Sequence, residues 1–242
     1  MRTDTRLRQI AFASDDLAAA AAALHAELGL DVAHRDPWVG MFGLANVVMP
    51  VGDQDFLEVV SPITEDASAR RYLDRNGGDG GYMLIFESAD LKTLRTEVDE
   101  LGIRIVQAVE DEQHTSLQLH PKDCDGIMLS LDSASQDWLA AGPDWRQFVR
   151  TDVVSAVKAI EFAVDDPPTV AAKWVRITGA RNSASTLNYT NLDVRLVPVA
   201  GGRLGLRSIE VVRGPNCPRH AGESRRICGV DFVFVEAEHS DV

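Results

Sequence analysis

The sequence predicts an α+β fold of tandem strand-helix-strand-strand-strand modules, and three observations carry that prediction. An apolar strand that runs into an Asp-started helix ending at Gly recurs along the chain. Short alternating strands follow each helix. Helix and strand signals alternate at a similar spacing through the 242 residues, so the pattern is an internal duplication rather than a likeness of composition.

The first module opens with RQIAFA, read as a strand. Asp15 or Asp16 can cap the alanine-rich helix that follows, and Gly29 stands where that helix must stop. DVAHRD, LANVVMPV and DFLEVVSP then read as strands. GYMLIFESADLKTLRTEVDELG repeats the strand, the Asp-Leu helix start and the Leu-Gly stop, with TSLQLHP and GIMLSLD as later strands. Aligning Asp16-Leu17 with Asp90-Leu91 sets Gln9 opposite Met83, and aligning the closing strands sets Glu58 opposite Ser130. The segment GGDGG between the modules is expected to be a flexible joint: a phosphate-binding loop leads from a strand into a helix, whereas this one leads into a strand.

These modules define a first domain over residues 1–132. The polar, turn-forming SASQDWLAAGPDWRQFVRTD reads as a linker over 133–152, with Trp138 and Trp145 packing back on a domain surface. A second, degenerate domain over 153–242 holds a third copy in AIEFAVDDPPTVAAKWVRITGA and TNLDVRLVPV. A fourth is visible in outline in LRSIEVVRG and CGVDFVFVEA, its helix reduced to PNCPRHAGESRR. The role expected of this half is structural, covering the first domain or mediating association into a homodimer.

A formal net charge of −13 disfavours nucleic acid and anionic membrane surfaces as partners. No apolar run has the length of a signal peptide or a membrane span, so a cytoplasmic protein is expected. Cys124, Cys217 and Cys228 are widely spaced without a Cys-x-x-Cys pair, which argues for reduced thiols rather than a disulfide framework or structural zinc.

The repeated module, carried by RQIAFASDDL, FLEVVSP, GYMLIFESADL and HPKDCDGIMLSLD, resembles the vicinal oxygen chelate superfamily, which includes glyoxalase I, methylmalonyl-CoA epimerase, extradiol dioxygenases and bleomycin-resistance proteins. The overall texture is similar to its bacterial glyoxalase-like members. The resemblance implies that paired modules curve into a cup, where the first and last strands of each module bind a divalent metal (Zn, Ni, Mn or Fe) that acts as a Lewis acid on two neighbouring substrate oxygens. Carried over residue by residue, it leaves Gln9 and Glu58 as metal ligands. Met83 and Ser130 depart from the pattern, since a thioether and a neutral hydroxyl are poor partners for a hard dication. Those two are then expected at the substrate.

Alternation in DFLEVV puts Glu58 on a face with Phe56 and Val60, so it is either partly buried with a partner or lining a cavity, as general base or ligand. Gln9 orients metal or substrate, or hydrogen-bonds Glu58. His120 is an acid/base, a stand-in metal ligand or the structural residue of a His-Pro turn. Tyr82 either donates a proton or sits as an aromatic at the cup rim, and Asn46 either binds a ligand or serves its turn. Arg70 and Arg71 either pair with a carboxylate substrate or lie on a solvated helix. The function expected is that of a lyase or isomerase acting on a small carbonyl or hydroxy compound, with an incomplete or absent metal site. The alternative is a binding protein that sequesters a small molecule without turnover.

Overall fold

A computed structural model describes residues 5–110, 114–133, 137–200 and 202–237. They form two mixed seven-stranded sheets. The first contains β1 (Arg6–Ala13), β2 (Leu44–Val51), β3 (Asp55–Pro62), β4 (Gly80–Ser88), β5 (Ile105–Glu110), β6 (Thr115–Leu119) and β7 (Met128–Ser133), in the spatial order β2-β3-β1-β4-β7-β6-β5. The second contains β8 (Val154–Val164), β9 (Arg181–Ser183), β10 (Thr186–Asn188), β11 (Asp193–Pro198), β12 (Gly205–Arg213), β13 (Ser224–Ile227) and β14 (Val230–Val235), in the order β13-β14-β12-β8-β11-β10-β9. In each, the opening strands of two modules pair antiparallel at the centre, and each opening strand pairs parallel with its own module's closing strand.

The helices are α1 (Leu17–Leu28), α2 (Ser68–Asn76), α3 (Leu91–Glu100) and α4 (Pro167–Thr178). Asp16, Asp90 and Asp166 cap α1, α3 and α4, their carboxylates accepting from the backbone N–H of Ala19, Thr93 and Thr169 at 2.9, 3.2 and 3.3 Å. Each cap contributes about 1 kcal/mol. Gly29, with φ 72°, ends α1 in the left-handed region that glycine enters without a Cβ penalty.

Three expectations need correction. DVAHRD is not a strand but a single bridge, His34 to Val48. Pro37, which has no N–H to donate, starts a 3-10 turn there over Pro37–Phe42, and the Asp36 carboxylate caps it at Trp38 N–H. The fourth module carries no helix between β12 and β14, because Pro215 and Pro218 interrupt that segment. The second half of GGDGG is packed tight rather than loose, while Gly78 has open space around it. A Cβ at Gly81 would stand 2.6 Å from Leu206 Cβ of β12, and one at Gly80 would meet the Tyr72 hydroxyl at 2.5 Å. Asp79 also accepts from Ser14 Oγ at 2.7 Å.

One apolar core joins both halves. Leu7, Ile10 and Phe12 of β1, Leu24 of α1, Leu94 of α3, Trp174 of α4 and Phe232 of β14 belong to the same buried cluster, with Phe12 and Phe232 rings 5.9 Å apart and Phe86 5.0 Å from Tyr189. Helices α1, α3 and α4 therefore lie between the sheets. The opposite face of the first sheet is left free, walled at one end by α2 and at the other by residues 137–149, whose Trp138 and Trp145 pack on Phe56.

Where the halves meet, Asp55 is buried and accepts from Asn191 Nδ2 at 2.6 Å and from Val157 N–H at 3.4 Å. Burial pushes its carboxyl up to about 6, with the hydrogen bond from Asn191 opposing the rise. Unfolded, the same carboxyl ionises near 3.8. The folded state thus holds the extra proton, and this contribution to stability is full below the unfolded value and lost as pH rises through about 6. Its size is about 3 kcal/mol. Urea unfolding across this range should show a falling limb in the native protein that Asp55→Asn flattens; an unchanged pH slope in the variant would refute the assignment.

Candidate functional site

The free face of the first sheet holds a cavity of about 1000 Å³. Its floor comes from alternate residues of the central strands: Gln9 and Ala11 of β1, Asn46 of β2, Glu58 and Val60 of β3, Met83 and Ile85 of β4. The alternation read from DFLEVV holds, since Leu57 and Val59 point into the shared core while Phe56, Glu58 and Val60 take the opposite face.

Glu58 is 7% exposed, and both its oxygens are held. Oε2 accepts from Gln9 Nε2 at 2.8 Å and Oε1 from Asn46 Nδ2 at 2.7 Å. The orientation of each amide is forced. Trp138 Nε1–H donates to Gln9 Oε1 at 2.8 Å, and the backbone N–H of Asp36 donates to Asn46 Oδ1 at 2.8 Å. An indole or backbone N–H can only donate, so each amide must turn its oxygen to that donor and its NH2 to Glu58. Burial raises the Glu58 pKa, and the hydrogen bonds from Asn46 and Gln9 pull against that rise. A carboxylate has room for about four hydrogen bonds, so lone pairs remain for a ligand.

Tyr82 lines the cavity with its hydroxyl 2.7 Å from Ser68 Oγ, and burial raises its pKa, so it stays a neutral donor. His120 also lines it. Its Nδ1 accepts from Lys122 N–H at 3.1 Å, which holds the turn and leaves Nε2 as the ring nitrogen able to donate. The structure thus brings Gln9, Asn46, Glu58, Tyr82, Met83 and His120 to one cavity. Ser130, expected at the substrate, does not line it. Its hydroxyl donates to Asp132 Oδ1 at 2.5 Å and lies 3.1 Å from Ser116 Oγ. Arg70 turns away to pair with Asp15, while Arg71 lines the cavity.

The donor set does not fit a divalent metal. Glu58 and Gln9 are the surviving positions, and both ends of the Gln9 amide are already engaged. Among the described residues no three His, Cys, Asp or Glu side chains gather as ligands. A hard cation here would have Glu58, the one imidazole of His120, whose Nδ1 already accepts from Lys122 N–H, and otherwise amide, thioether and phenol groups around it.

Sequence reasoning missed the reach of Trp138 to Gln9, because nothing local marks a linker tryptophan as a donor into the cup. It also missed Arg75, Lys122, Arg203 and Leu204, which line the mouth. The i,i+4 spacing of Arg71 and Arg75 was the available signal for one of them.

A family model described as a glyoxalase-like domain matches residues 10–178. The ethylmalonyl-CoA/methylmalonyl-CoA epimerase of Cereibacter sphaeroides is 29% identical over 133 residues, 52% of this chain and 96% of that protein. The mitochondrial methylmalonyl-CoA epimerase of Homo sapiens is 27% identical over 132 residues, 53% of this chain and 74% of that protein. A hypothetical protein from Staphylococcus aureus shares the fold across 96% of this chain and 99% of its own, with a TM-score of 0.70 at 10% identity. With the family match running through both modules of the first sheet and into α4 of the second, the chain belongs to the glyoxalase-like domain family of the vicinal oxygen chelate superfamily.

Proposed function

We propose that the protein is an isomerase that removes and returns a proton on a carbon beside a carbonyl group of a small carbonyl or hydroxy compound, with Glu58 as the base. The observation that carries this reading is a carboxylate at the floor of a cavity, its pKa raised by burial and its orientation fixed by two amides. A base works best when its pKa lies near the working pH, and burial moves Glu58 in that direction. The names of the two relatives support the reaction class, because epimerisation inverts a centre through loss and return of a proton.

Gln9 and Asn46 position the carboxylate. Tyr82 and His120 are the cavity donors able to reach an oxygen on which negative charge develops. Val60, Ile85, Met83 and Met128 exclude water from the floor and strengthen these interactions. A lyase would use the same base to start an elimination.

In deuterium oxide, the wild-type protein should exchange the proton next to the thioester of methylmalonyl-CoA, followed by proton NMR, and Glu58→Gln should slow exchange roughly 10²- to 10⁴-fold. Exchange at the wild-type rate in the variant would remove Glu58 from the mechanism. No exchange by the wild type, with methylmalonyl-CoA or a panel of 2-hydroxy and dicarbonyl compounds, would leave the sequestering protein as the reading.

Trp138→Phe removes the N–H that fixes Gln9. The lowering influence of Gln9 on Glu58 then weakens, so the acid limb of the kcat/KM profile should move to higher pH, while a purely structural role would lower activity without moving that limb. Elemental analysis of protein purified without chelator, then soaked in nickel, zinc, manganese or iron, should find no divalent metal at stoichiometric level. A metal retained by the wild type and lost in Glu58→Ala would overturn the assignment of Glu58 as a free base.

A further inference from the structure

The cavity mouth has a sign opposite to the chain as a whole. The protein carries 37 acidic and 24 basic residues, and its arginines are for the most part ion-paired: Arg8 with Glu87, Arg104 with Asp123, Arg176 with Glu97 and Glu100, Arg195 with Glu210, Arg219 with Glu27. Arg71, Arg75, Lys122 and Arg203 line the mouth, and among the described residues none of the four makes an ion pair.

Arg71 and Arg75 stand one turn apart on α2, with Asp74 the one acid between them. Arg71 donates to the backbone carbonyl of Asp66, whose carboxylate also feels it. Arg203 arrives from the connection between β11 and β12. Its guanidinium stands 3.3 Å from where a Cβ on Gly77 would lie, at the C-terminal end of α2, and it donates to the neutral Asn76 Oδ1 at 3.5 Å. The two acids lining the cavity do not neutralise this group. Glu58 is held by its amides at the floor, and Asp36 caps the 3-10 turn. Burial raises the pKa of the Tyr72 and Tyr82 hydroxyls, and Arg75 with Arg203 at the first, and Arg71 with Arg75 at the second, act against that rise.

We propose that Arg75 and Arg203, assisted by Arg71 and Lys122, bind an anionic group of the substrate, a carboxylate or a phosphate remote from the reacting carbon, so that the second half of the chain completes the site of the first. The proposal rests on the reading of this cavity as the substrate site. An anion there offsets the positive charge gathered at the mouth, and the two arginines present planar donors that fit both oxyanions. Glu58 repels the same group from the floor, so the two poles fix which end of the substrate enters first.

Isothermal titration at low ionic strength with inorganic phosphate and, separately, malonate tests this on the full chain. The wild type should bind at least one. Arg75→Gln and Arg203→Gln should each weaken it roughly tenfold or more, and the double variant should abolish it. Arg225→Gln, which breaks the distant pair with Glu27, should leave affinity unchanged. Tighter phosphate binding would assign a phosphorylated substrate, and tighter malonate binding a carboxylic acid. No binding of either anion by the wild type, or equal binding by wild type and double variant, would overturn the proposal. Glu58→Gln should retain the anion while losing proton exchange, so an anion-binding protein that catalyses no exchange refutes the reaction and leaves this inference standing.

Discussion

Placing a carboxylate on the floor of an apolar sheet is the constraint from which the cup follows. A buried charge needs donors, and its apolar neighbours Phe56, Val60 and Ile85 supply none. Gln9 and Asn46 supply two, but an amide is ambiguous, since either end can face an acid's surroundings. Trp138 and Asp36 N–H resolve the ambiguity. The linker after the first sheet must therefore return across the cup, and the 3-10 turn must form where a strand was expected. Departures from the module's regular pattern are thus tied to one side chain.

The same face is free only because the other is covered. Each module alone would expose the apolar stripe of its helix, and the single core running from Ile10 through Trp174 to Phe232 shows how the chain removes both stripes at once. Stacking the helical faces brings the β11–β12 connection to the rim of the cavity, where Leu204 and Arg203 become part of its wall. Gly81 records the closeness of that approach, because any Cβ there would strike Leu206. The second half, expected to be structural, also contributes lining to the site.

Most of the fold was legible because its signals are local: the Asp caps, the terminating glycines and the alternation in β3 each act within a few residues. The parts that were not legible depend on distant partners. DVAHRD has strand-like composition, yet Pro37 and the Asp36 cap end it after one bridge. Ser130 was placed correctly on its strand, but whether a hydroxyl faces a substrate or an acid two residues away depends on Asp132, which alignment does not reveal. Glu58 and Gln9 were legible as a pair because two strands of one module bear them. Arg203 was not, because its meaning comes from a sheet-to-sheet contact between residues far apart in sequence.

The loss of two ligand positions changes the chemistry of those that remain. In a cup that holds a dication, a carboxylate at the Glu58 position is a ligand, and the adjacent charge holds its pKa low, which suits coordination and disfavours taking a proton. With Met83 and Ser130 in the other positions, a dication would lack half of its ligands, and burial moves the pKa of the same carboxylate up. Two amide hydrogen bonds are strong enough to keep it oriented and too weak to restore the lower value. The position that resembles half of a metal site is therefore, in its own surroundings, a better proton acceptor than a complete site would make it.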